Sequence, residues 1–312
     1  MAADTVTTRR MRAMSCSATM TLAVGDHTDA NRVLDRAVAR LGQLERRWSR
    51  FVDDSEITGL NQANGQPRRC SSDTVALVSA MVAGWTLTDG RFDPSLLGPL
   101  VELGYDTSRT DGSTAPRLLI GSGFGRRVDL ITIDPDAGVV QLPAGVTLDP
   151  GGVGKGLAAD IVAAELVDAL GGRAVAGAAV EIGGDIRVLG RGPDDGAWSI
   201  AIAHPDEGAT EFVRLCDGGI ATSSTRLRTW SRGRVRHHHL IDPRSRRPTA
   251  SGVAGCTVIA GSAALAETFT KVAFVDGAAL ALDRFAAHGL AARVIGDDAL
   301  VDRTTSWEAF AA

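Results

Sequence analysis

Short β-type stretches joined by very short links constrain the fold of this 312-residue chain more than any other feature. From residue 127 onward, the stretches VDLITI, VVQL and AGVTLD are separated by turn-forming Gly, Pro and Asp, as in antiparallel hairpins. Further stretches of this kind are AVEI, DIRVLG, WSIAIAHP and LAARVI. Many of the links are too short for the crossover that parallel strands require. The pattern therefore predicts an α+β fold, with antiparallel-rich sheets and packed helices, and disfavours a doubly wound sheet.

Helices are predicted where apolar residues recur at three or four positions or where capping residues bound a run. Residues 29–48 show this spacing most clearly, with Leu34, Val38, Leu41 and Leu44 on one face. The other predicted helices span residues 72–88, 154–170, 263–275 and 278–288. The polar segment 49–70 is expected to be an ordered surface loop or a short element. Residues 1–13 are expected to be flexible and residues 14–312 to form a single domain, with two intimately packed halves as the alternative.

Composition excludes several classes of function. A hydrophobic content of 44% with 22% charged residues is ordinary for a globular protein, and the formal charge of -4 argues against nucleic acid as the main partner. The first twenty residues contain no continuous apolar stretch, so we expect a cytoplasmic protein without membrane insertion. The four cysteines are far apart in the sequence, and we expect free thiols because zinc and redox sites need close pairs.

A glycine-rich segment, DPGGVGKG at residues 149–156, is termed here the glycine corner. It is not a P-loop, because that motif needs glycine where Asp149 stands and Ser or Thr where Gly156 stands. A second cluster, GSGFG at 121–125, lacks the spacing of a dinucleotide fingerprint. The corner's exposed amides, helix start and lysine could bind an anion or a pyrophosphate. A tight strand-to-helix turn without a ligand is the alternative.

Eight segments in order carry a resemblance to a known family: AMSCSA, SRFVDDSEITGLNQ, DGRFDPSLLGPLVELGYD, LDPGGVGKGLAAD, VEIGGDIRVLG, GIATSST, HHHLIDPRSRRP and TVIAGSAALAETFTKVAFVDG. From about Met14 to about Gly277, the chain resembles the FAD:protein FMN transferases, the ApbE-type family. The resemblance implies an ApbE-like flavin transferase fold. It also implies protein flavinylation, in which FMN moves from FAD onto a Thr or Ser hydroxyl of a partner protein and AMP is released. An FAD-binding protein without transfer activity and an FAD hydrolase giving FMN and AMP are the alternatives.

The resemblance also implies roles for individual residues. His239 would deprotonate or orient the acceptor hydroxyl, and Asp242 of the following LIDP segment is the second catalytic candidate. Three consecutive histidines alternate sides in a strand, so His237, His238 and His239 cannot all face one site. The residues expected to bind the flavin dinucleotide are Met14, Phe51, Arg91, Phe92, Asp93, Asp149, Lys155, Thr222 and Ile241.

A magnesium site is implied by the family pattern but is altered in this chain. The resemblance places the carbonyl of Gly152 and the side chains at positions 267 and 271 at the metal, where the family usually has Asp and Thr. Here they are Glu267 and Lys271, and an ammonium cannot coordinate a cation. Mg²⁺ dependence is therefore in doubt. Lys271 either forms a solvated i,i+4 salt bridge with Glu267 or replaces part of the metal's charge.

Overall fold

The computed structural model describes residues 5–24, 29–106, 127–169, 175–193, 195–203, 210–233 and 235–312. The GSGFG cluster at 121–125 lies outside these ranges. None of the helices in the described ranges is both long and apolar enough to cross a membrane. These helices are α1 (Ala30–Trp48), α2 (Glu56–Gln62), α3 (Ser72–Leu87), α4 (Leu97–Glu102), α5 (Gly154–Asp168), α6 (Ala263–Asp276) and α7 (Ala278–Ala287).

An eight-stranded sheet forms the centre of the molecule. Its strands are β1 (Thr5–Ala13), β2 (Cys16–Val24), β6 (Val175–Ile182), β7 (Asp185–Gly190), β10 (Gly218–Ser224), β15 (Val253–Ala260), β16 (Ala291–Gly296) and β17 (Val301–Arg303), in that spatial order. Every neighbouring pair in this sheet is antiparallel. The predicted antiparallel α+β class is thereby confirmed.

Four smaller sheets surround the main one. The strands β3 (Arg68–Arg69), β4 (Thr132–Asp134) and β5 (Val139–Gln141) form one of them. The others are hairpins made of β8 (Trp198–Ala203) with β9 (Thr210–Leu215), β11 (Thr229–Arg232) with β12 (Val235–His238), and β13 (Ile241–Asp242) with β14 (Arg247–Pro248). Helices α5 and α6 pack on one face of the main sheet, against β6, β7, β10 and β15. Trp198, Val213 and Trp307 belong to an apolar cluster with Val188 and Ile220 of the main sheet.

Glycine at position 156 allows α5 to approach the start of α6 closely. A Cβ built there would lie 2.4 Å from the carbonyl oxygen of Ala263 and 2.7 Å from the backbone nitrogen of Ala264. The backbone nitrogens of Ala263 and Ala264 also donate to the two carboxylate oxygens of Asp160, each at 2.9 Å. These contacts fix the first turn of α6 beside the first turn of α5, where Lys155 lies.

The structure differs from the sequence prediction in three segments. Residues 5–13, expected to be flexible, form β1, which joins β2 through a two-residue turn in which Met14 and Ser15 have φ of 52° and 63°. The stretch 144–149, expected to be a strand, has no ladder partner, although Val146 and Leu148 are buried. Residues Val128–Leu130 form a 3₁₀ turn before β4. Short alternating runs predict buried positions well, but a strand also needs a neighbour with free hydrogen-bonding groups.

Candidate active site

One cavity collects most of the side chains that the resemblance assigned to the site. Its lining comes from the β1–β2 turn, the end of α1, the residues after α3, the glycine corner, α6 and the segment 239–241. The predicted site residues that line it are Met14, Phe51, Arg91, Phe92, Asp93, Asp149, Gly152, Lys155, His239, Ile241 and Lys271. Three predicted residues, Thr222, Asp242 and Glu267, do not line it.

The apolar wall of the cavity is formed by Met14, Phe51 and Phe92 with their neighbours. The hairpin turn positions Met14, whose backbone N–H donates to Oε1 of Glu45 at 2.6 Å. Phe92 is 4% exposed, and its ring packs against the glycine corner so closely that a Cβ at Gly152 would lie 2.7 Å from Cε2 of the ring. A flat aromatic surface therefore lies directly beside the corner.

Arg91 and Asp93 line the cavity while holding the surrounding chain. Nε of Arg91 lies 2.5 Å from Oδ2 of Asp276, at the end of α6. Oδ1 of Asp93 accepts from the backbone nitrogen of Ser95 at 2.8 Å and from its hydroxyl at 2.5 Å. Both residues thus fix the loop that carries Phe92.

The glycine corner is a turn that leads directly into α5. Oδ1 of Asp149 accepts from the backbone nitrogen of Gly151 at 2.7 Å and caps the 3₁₀ turn Pro150–Gly152. Helix α5 begins at Gly154, so its first amides and Lys155 are at the cavity. The segment that leads into the glycine corner is extended but is not part of a sheet. The predicted succession of glycines followed by the start of a helix is present. Amides at a helix start and an ammonium favour an anionic ligand.

Arg50 is a cavity residue that sequence reasoning missed. It is 5% exposed, with Nε 3.3 Å from Oδ2 of Asp149 and Nη2 2.8 Å from the carbonyl oxygen of Tyr105. Its guanidinium carbon lies 4.2 Å from the ring centroid of Phe51 and 4.9 Å from that of Tyr105. Arg50 therefore ties the aromatic wall to the glycine corner. The available signal was its place inside the SRF segment, directly before Phe51.

Arg228 is a second missed cavity residue. It follows β10 in a left-handed backbone conformation, with φ of 49°, and Nη2 lies 3.3 Å from Sγ of Cys16. Its guanidinium adds a positive charge to the side of the cavity where Lys155 lies. The sequence analysis made no prediction for residues 226–228, which form a turn between β10 and β11.

The only two lysines of the chain meet in one group of charged side chains, which we call the lysine cluster: Lys155, Asp185, Glu267 and Lys271. Lys155 bridges Oδ2 of Asp185 and Oε1 of Glu267, while Oε2 of Glu267 accepts from the backbone nitrogen of Gly156 at 2.8 Å. Asp185 and Glu267 are almost fully buried, at 2% and 1% exposure. Within the described ranges, no set of three or more His, Cys, Asp or Glu could hold a metal ion.

Burial and mutual charge shift the pKa values in the lysine cluster. Burial lowers the pKa of Lys155, but the attraction of Asp185 and Glu267 outweighs it and the net shift is upward. Burial, assisted by repulsion from Glu267, raises the pKa of Asp185 to about 7. Burial lowers the pKa of Lys271 to about 8. Lys155 is thus a permanent structural cation, and Lys271 is the less stabilised of the two ammonium groups.

His239 is the only one of the three consecutive histidines among the residues that line this cavity; His237 and His238 line a second one. Burial lowers the pKa of His239 well below its ordinary value, and the nearby cations Arg228, Lys271 and Lys155 lower it further. Its imidazole is therefore neutral near pH 7 and can accept a proton. Nδ1 of His239 has no hydrogen-bond partner within the described ranges.

The three predicted residues that do not line the cavity have other contacts. Oγ1 of Thr222 lies 2.9 Å from Oγ1 of Thr257 on the neighbouring strand. Oδ1 of Asp242 accepts from the backbone nitrogen of Arg244 at 2.9 Å, which shapes the turn between β13 and β14. Glu267 lies behind the cavity surface and contacts two of its lining residues, Lys155 and Lys271. Direct roles for Thr222 and Asp242 at the ligand remain predictions.

An antiparallel α+β fold and a cavity with an aromatic wall and cationic side chains are the features by which the chain is classified. The chain belongs to the ApbE family, whose model matches residues 14–294. The resemblance inferred from the ordered segments is thereby confirmed.

Named relatives and solved structures agree with this membership. A FAD:protein FMN transferase of Vibrio cholerae is 29% identical over 76% of this chain and 71% of its own length. One from Rhodobacter capsulatus is 31% identical over 77% of this chain, but the match spans only 45% of that relative. An ApbE protein of Thermotoga maritima superposes with a TM-score of 0.85 at 24% identity, covering 99% of this chain and 100% of the other. The flavinyl transferase ApbE of Pseudomonas stutzeri gives 0.80 at 25% identity, covering 98% and 96%.

Proposed function

We propose that the protein is a FAD:protein FMN transferase, which moves FMN from FAD onto a Thr or Ser hydroxyl of a partner protein and releases AMP. The family membership and the names of the relatives support this activity. The observation that carries it in this chain is the meeting of a neutral, partly buried His239 with the glycine corner and two lysines in one cavity.

Binding follows from the two ends of the cavity. The apolar wall of Met14, Phe51 and Phe92 offers flat surfaces for the isoalloxazine ring. The glycine corner, Lys155 and Lys271 line the end of the cavity where the pyrophosphate would be neutralised. A dinucleotide would then span the cavity with its scissile phosphate near His239.

The chemistry is a phosphoryl transfer whose atoms balance without a further reactant. The acceptor hydroxyl oxygen forms a bond to the phosphorus on the flavin side, while the bond from that phosphorus to the bridging oxygen breaks. The bridging oxygen leaves with its electron pair as part of AMP. An imidazole nitrogen of His239 takes the hydroxyl proton, and the neighbouring cations stabilise charge on the phosphoryl oxygens. A neutral imidazole can do this at pH 7, whereas an imidazolium cannot.

The state of the cysteines supports the cytoplasm as the place of action. Cys16, Cys70, Cys216 and Cys256 are all free thiols. Free thiols persist in a reducing compartment, whereas oxidising compartments promote disulfides.

One experiment separates the proposed transfer from its two alternatives. Purified protein is incubated with FAD, with and without an extract of the source cells, and AMP, free FMN and fluorescent protein bands on a denaturing gel are measured. Transfer gives AMP and a covalent flavin band that appears only with the extract. AMP and free FMN without any acceptor would instead identify a hydrolase, and bound FAD without AMP would identify a binding protein.

Two histidine variants test this assignment, one at the proposed base and one as its matched control. His239→Ala should abolish AMP release, whereas His237→Ala should retain it because His237 lines the second cavity. Equal activity of the two variants would contradict the assignment of His239 as the base.

A further inference from the structure

Lys271 occupies a position that the family resemblance assigned to the magnesium site. It lies on α6, one turn after Glu267, and its side chain is 16% exposed and lines the cavity. Its Nζ donates to the carbonyl oxygen of Glu267 at 2.7 Å and lies 3.3 Å from Oγ1 of Thr270 and 3.4 Å from Oγ of Ser223. Oxygen atoms that could surround a metal ion therefore surround an ammonium group.

The residues present do not fit a divalent cation at this point. Mg²⁺ requires near-octahedral oxygen ligands, usually including one or two free carboxylate oxygens. Both oxygens of Glu267 are engaged, one by Lys155 and one by the N–H of Gly156, and Oδ2 of Asp185 is also bound to Lys155. A divalent ion would in addition face the charge of Lys271 at close range.

The charges of the cluster favour an anion at its open side. At neutral pH, Lys155, Lys271 and the adjacent Arg228 are cationic. Of the two carboxylates, Glu267 is ionised, whereas Asp185, with a pKa raised to about 7, is only partly ionised. Lys155 bridges both carboxylates, whereas the nearest carboxylate oxygen to Lys271 Nζ is 4.0 Å away. Of the two lysines, Lys271 is thus the one whose charge is less compensated.

The choice of lysine at these positions is itself informative. Of 33 basic residues outside histidine, only Lys155 and Lys271 are lysines, and all others are arginines. An ammonium is a compact point charge with three donors, so it fits among closely spaced oxygens where the planar guanidinium does not. The two lysines of a chain that otherwise uses arginine therefore lie in the same cluster, beside Glu267.

We propose that Lys271 is a built-in cation that binds the phosphates of FAD directly, so that this chain binds FAD without a divalent metal ion. The proposal deepens the proposed function and rests on it for the identity of the ligand. The ammonium donates hydrogen bonds to phosphate oxygens from the position where it now contacts neutral oxygens. Phosphate binding by a lysine as a point charge is a common arrangement.

The test compares FAD affinity in excess chelator with FAD affinity in Mg²⁺, by quenching of flavin fluorescence. We expect the two dissociation constants of the unaltered protein to agree within about twofold. Lys271→Met, which retains the length of the side chain without its charge, should weaken FAD binding by about tenfold or more, because one charge-assisted bond is lost. Riboflavin, which has no phosphate, should bind both proteins equally. Circular dichroism establishes that the variant is folded.

A second measurement is chemical modification of lysine, which is selective because the chain contains only two lysines. Acetylation of Lys271, followed by mass spectrometry of its peptide, should be slowed by FAD and not by riboflavin. FAD binding that is lost in chelator and restored by Mg²⁺ would overturn the inference while leaving the transferase proposal intact, and so would Lys271→Met with unchanged FAD affinity. Absence of FAD binding in either buffer would instead refute the proposed function itself.

Discussion

Replacing Gly156 with alanine tests whether the close approach of α5 and α6 builds the lysine cluster. The new Cβ would lie 2.4 Å from the carbonyl oxygen of Ala263, whereas ordinary contact begins at 3.4 Å, so the two helices must separate by about 1.0 Å. The obstructing atoms belong to the backbone, which cannot move aside as a side chain can. The N–H of Gly156, now 2.8 Å from Oε2 of Glu267, would be drawn out of hydrogen-bonding range.

The magnitude follows from these two effects. Overpacking of a close contact costs about 1–3 kcal/mol, and loss of a hydrogen bond to a buried carboxylate costs about 1–3 kcal/mol. The better helix propensity of alanine offsets up to about 1 kcal/mol. We therefore expect Gly156→Ala to lower the free energy of unfolding by about 3 kcal/mol and the melting temperature by roughly 5 °C or more.

Chemical denaturation and FAD titration measure both consequences of this change. FAD affinity should fall along with stability, because Lys155 and Glu267 shift relative to each other. The matched control is Gly42→Ala in α1, where the nearest atom to a new Cβ is Nη1 of Arg46 at 3.7 Å. That substitution should stabilise the protein by about 0.5–1 kcal/mol through helix propensity. Unchanged or increased stability of Gly156→Ala would refute the idea that this glycine sets the helix spacing.

Three further substitutions test the site. His239→Ala should retain FAD affinity but release AMP at least about a hundredfold more slowly. The unaltered protein should keep its rate of AMP release below pH 6, because the pKa of His239 is depressed and protonation disables the base only below that pKa. Asp149→Ala should weaken FAD binding more than FMN binding in parallel titrations, since it removes the cap of the corner where the pyrophosphate is proposed to bind. Glu267→Asp combined with Lys271→Thr should make FAD binding and AMP release dependent on Mg²⁺, because it supplies oxygen ligands.

Each of these expectations has a result that contradicts it. A rate that falls near pH 6.5 both in the unaltered protein and in Asp185→Asn, which removes the carboxyl group with a pKa of about 7, would show that the base is not the depressed imidazole of His239. Equal losses for FAD and FMN in Asp149→Ala would contradict the placement of the pyrophosphate at the glycine corner. Continued insensitivity of the Glu267→Asp, Lys271→Thr double variant to chelator would mean that something other than Lys271 excludes the metal.

Local periodicity accounts for most of what could be predicted of the fold. The heptad-like spacing of Leu34, Leu41 and Leu44 predicted α1, and these residues are indeed fully buried. Prediction failed for β1, where Thr5–Ala13 lacks a clear apolar face but pairs with β2 along its whole length. It failed again at 144–149, where burial occurs without a strand. In both cases pairing with a distant segment decides the structure, and no local pattern reports it.

The candidate site, like the fold, was predicted from the sequence only in part. Eleven of the residues predicted from the ordered segments line one cavity. Arg50 and Arg228 were missed because their importance comes from their contacts with Asp149 and Cys16, which are distant from them in the sequence. For Glu267 and Lys271, the sequence left two readings open. The structure places Lys271 at the cavity, so it is not a surface salt bridge in bulk solvent.

The sequence by itself determined the antiparallel α+β class, the positions of α1, α3, α5, α6 and α7, and the family. Turn residues, apolar spacing and ordered motifs are all properties of neighbouring residues. Only the tertiary structure decided which charges meet. Lys155 lies at the start of α5 and Glu267 on α6, and their contact depends on a glycine that lets two helix backbones nearly touch. Electrostatic interaction depends on separations of a few ångströms and on burial, and both are set by packing between elements that are distant in the chain.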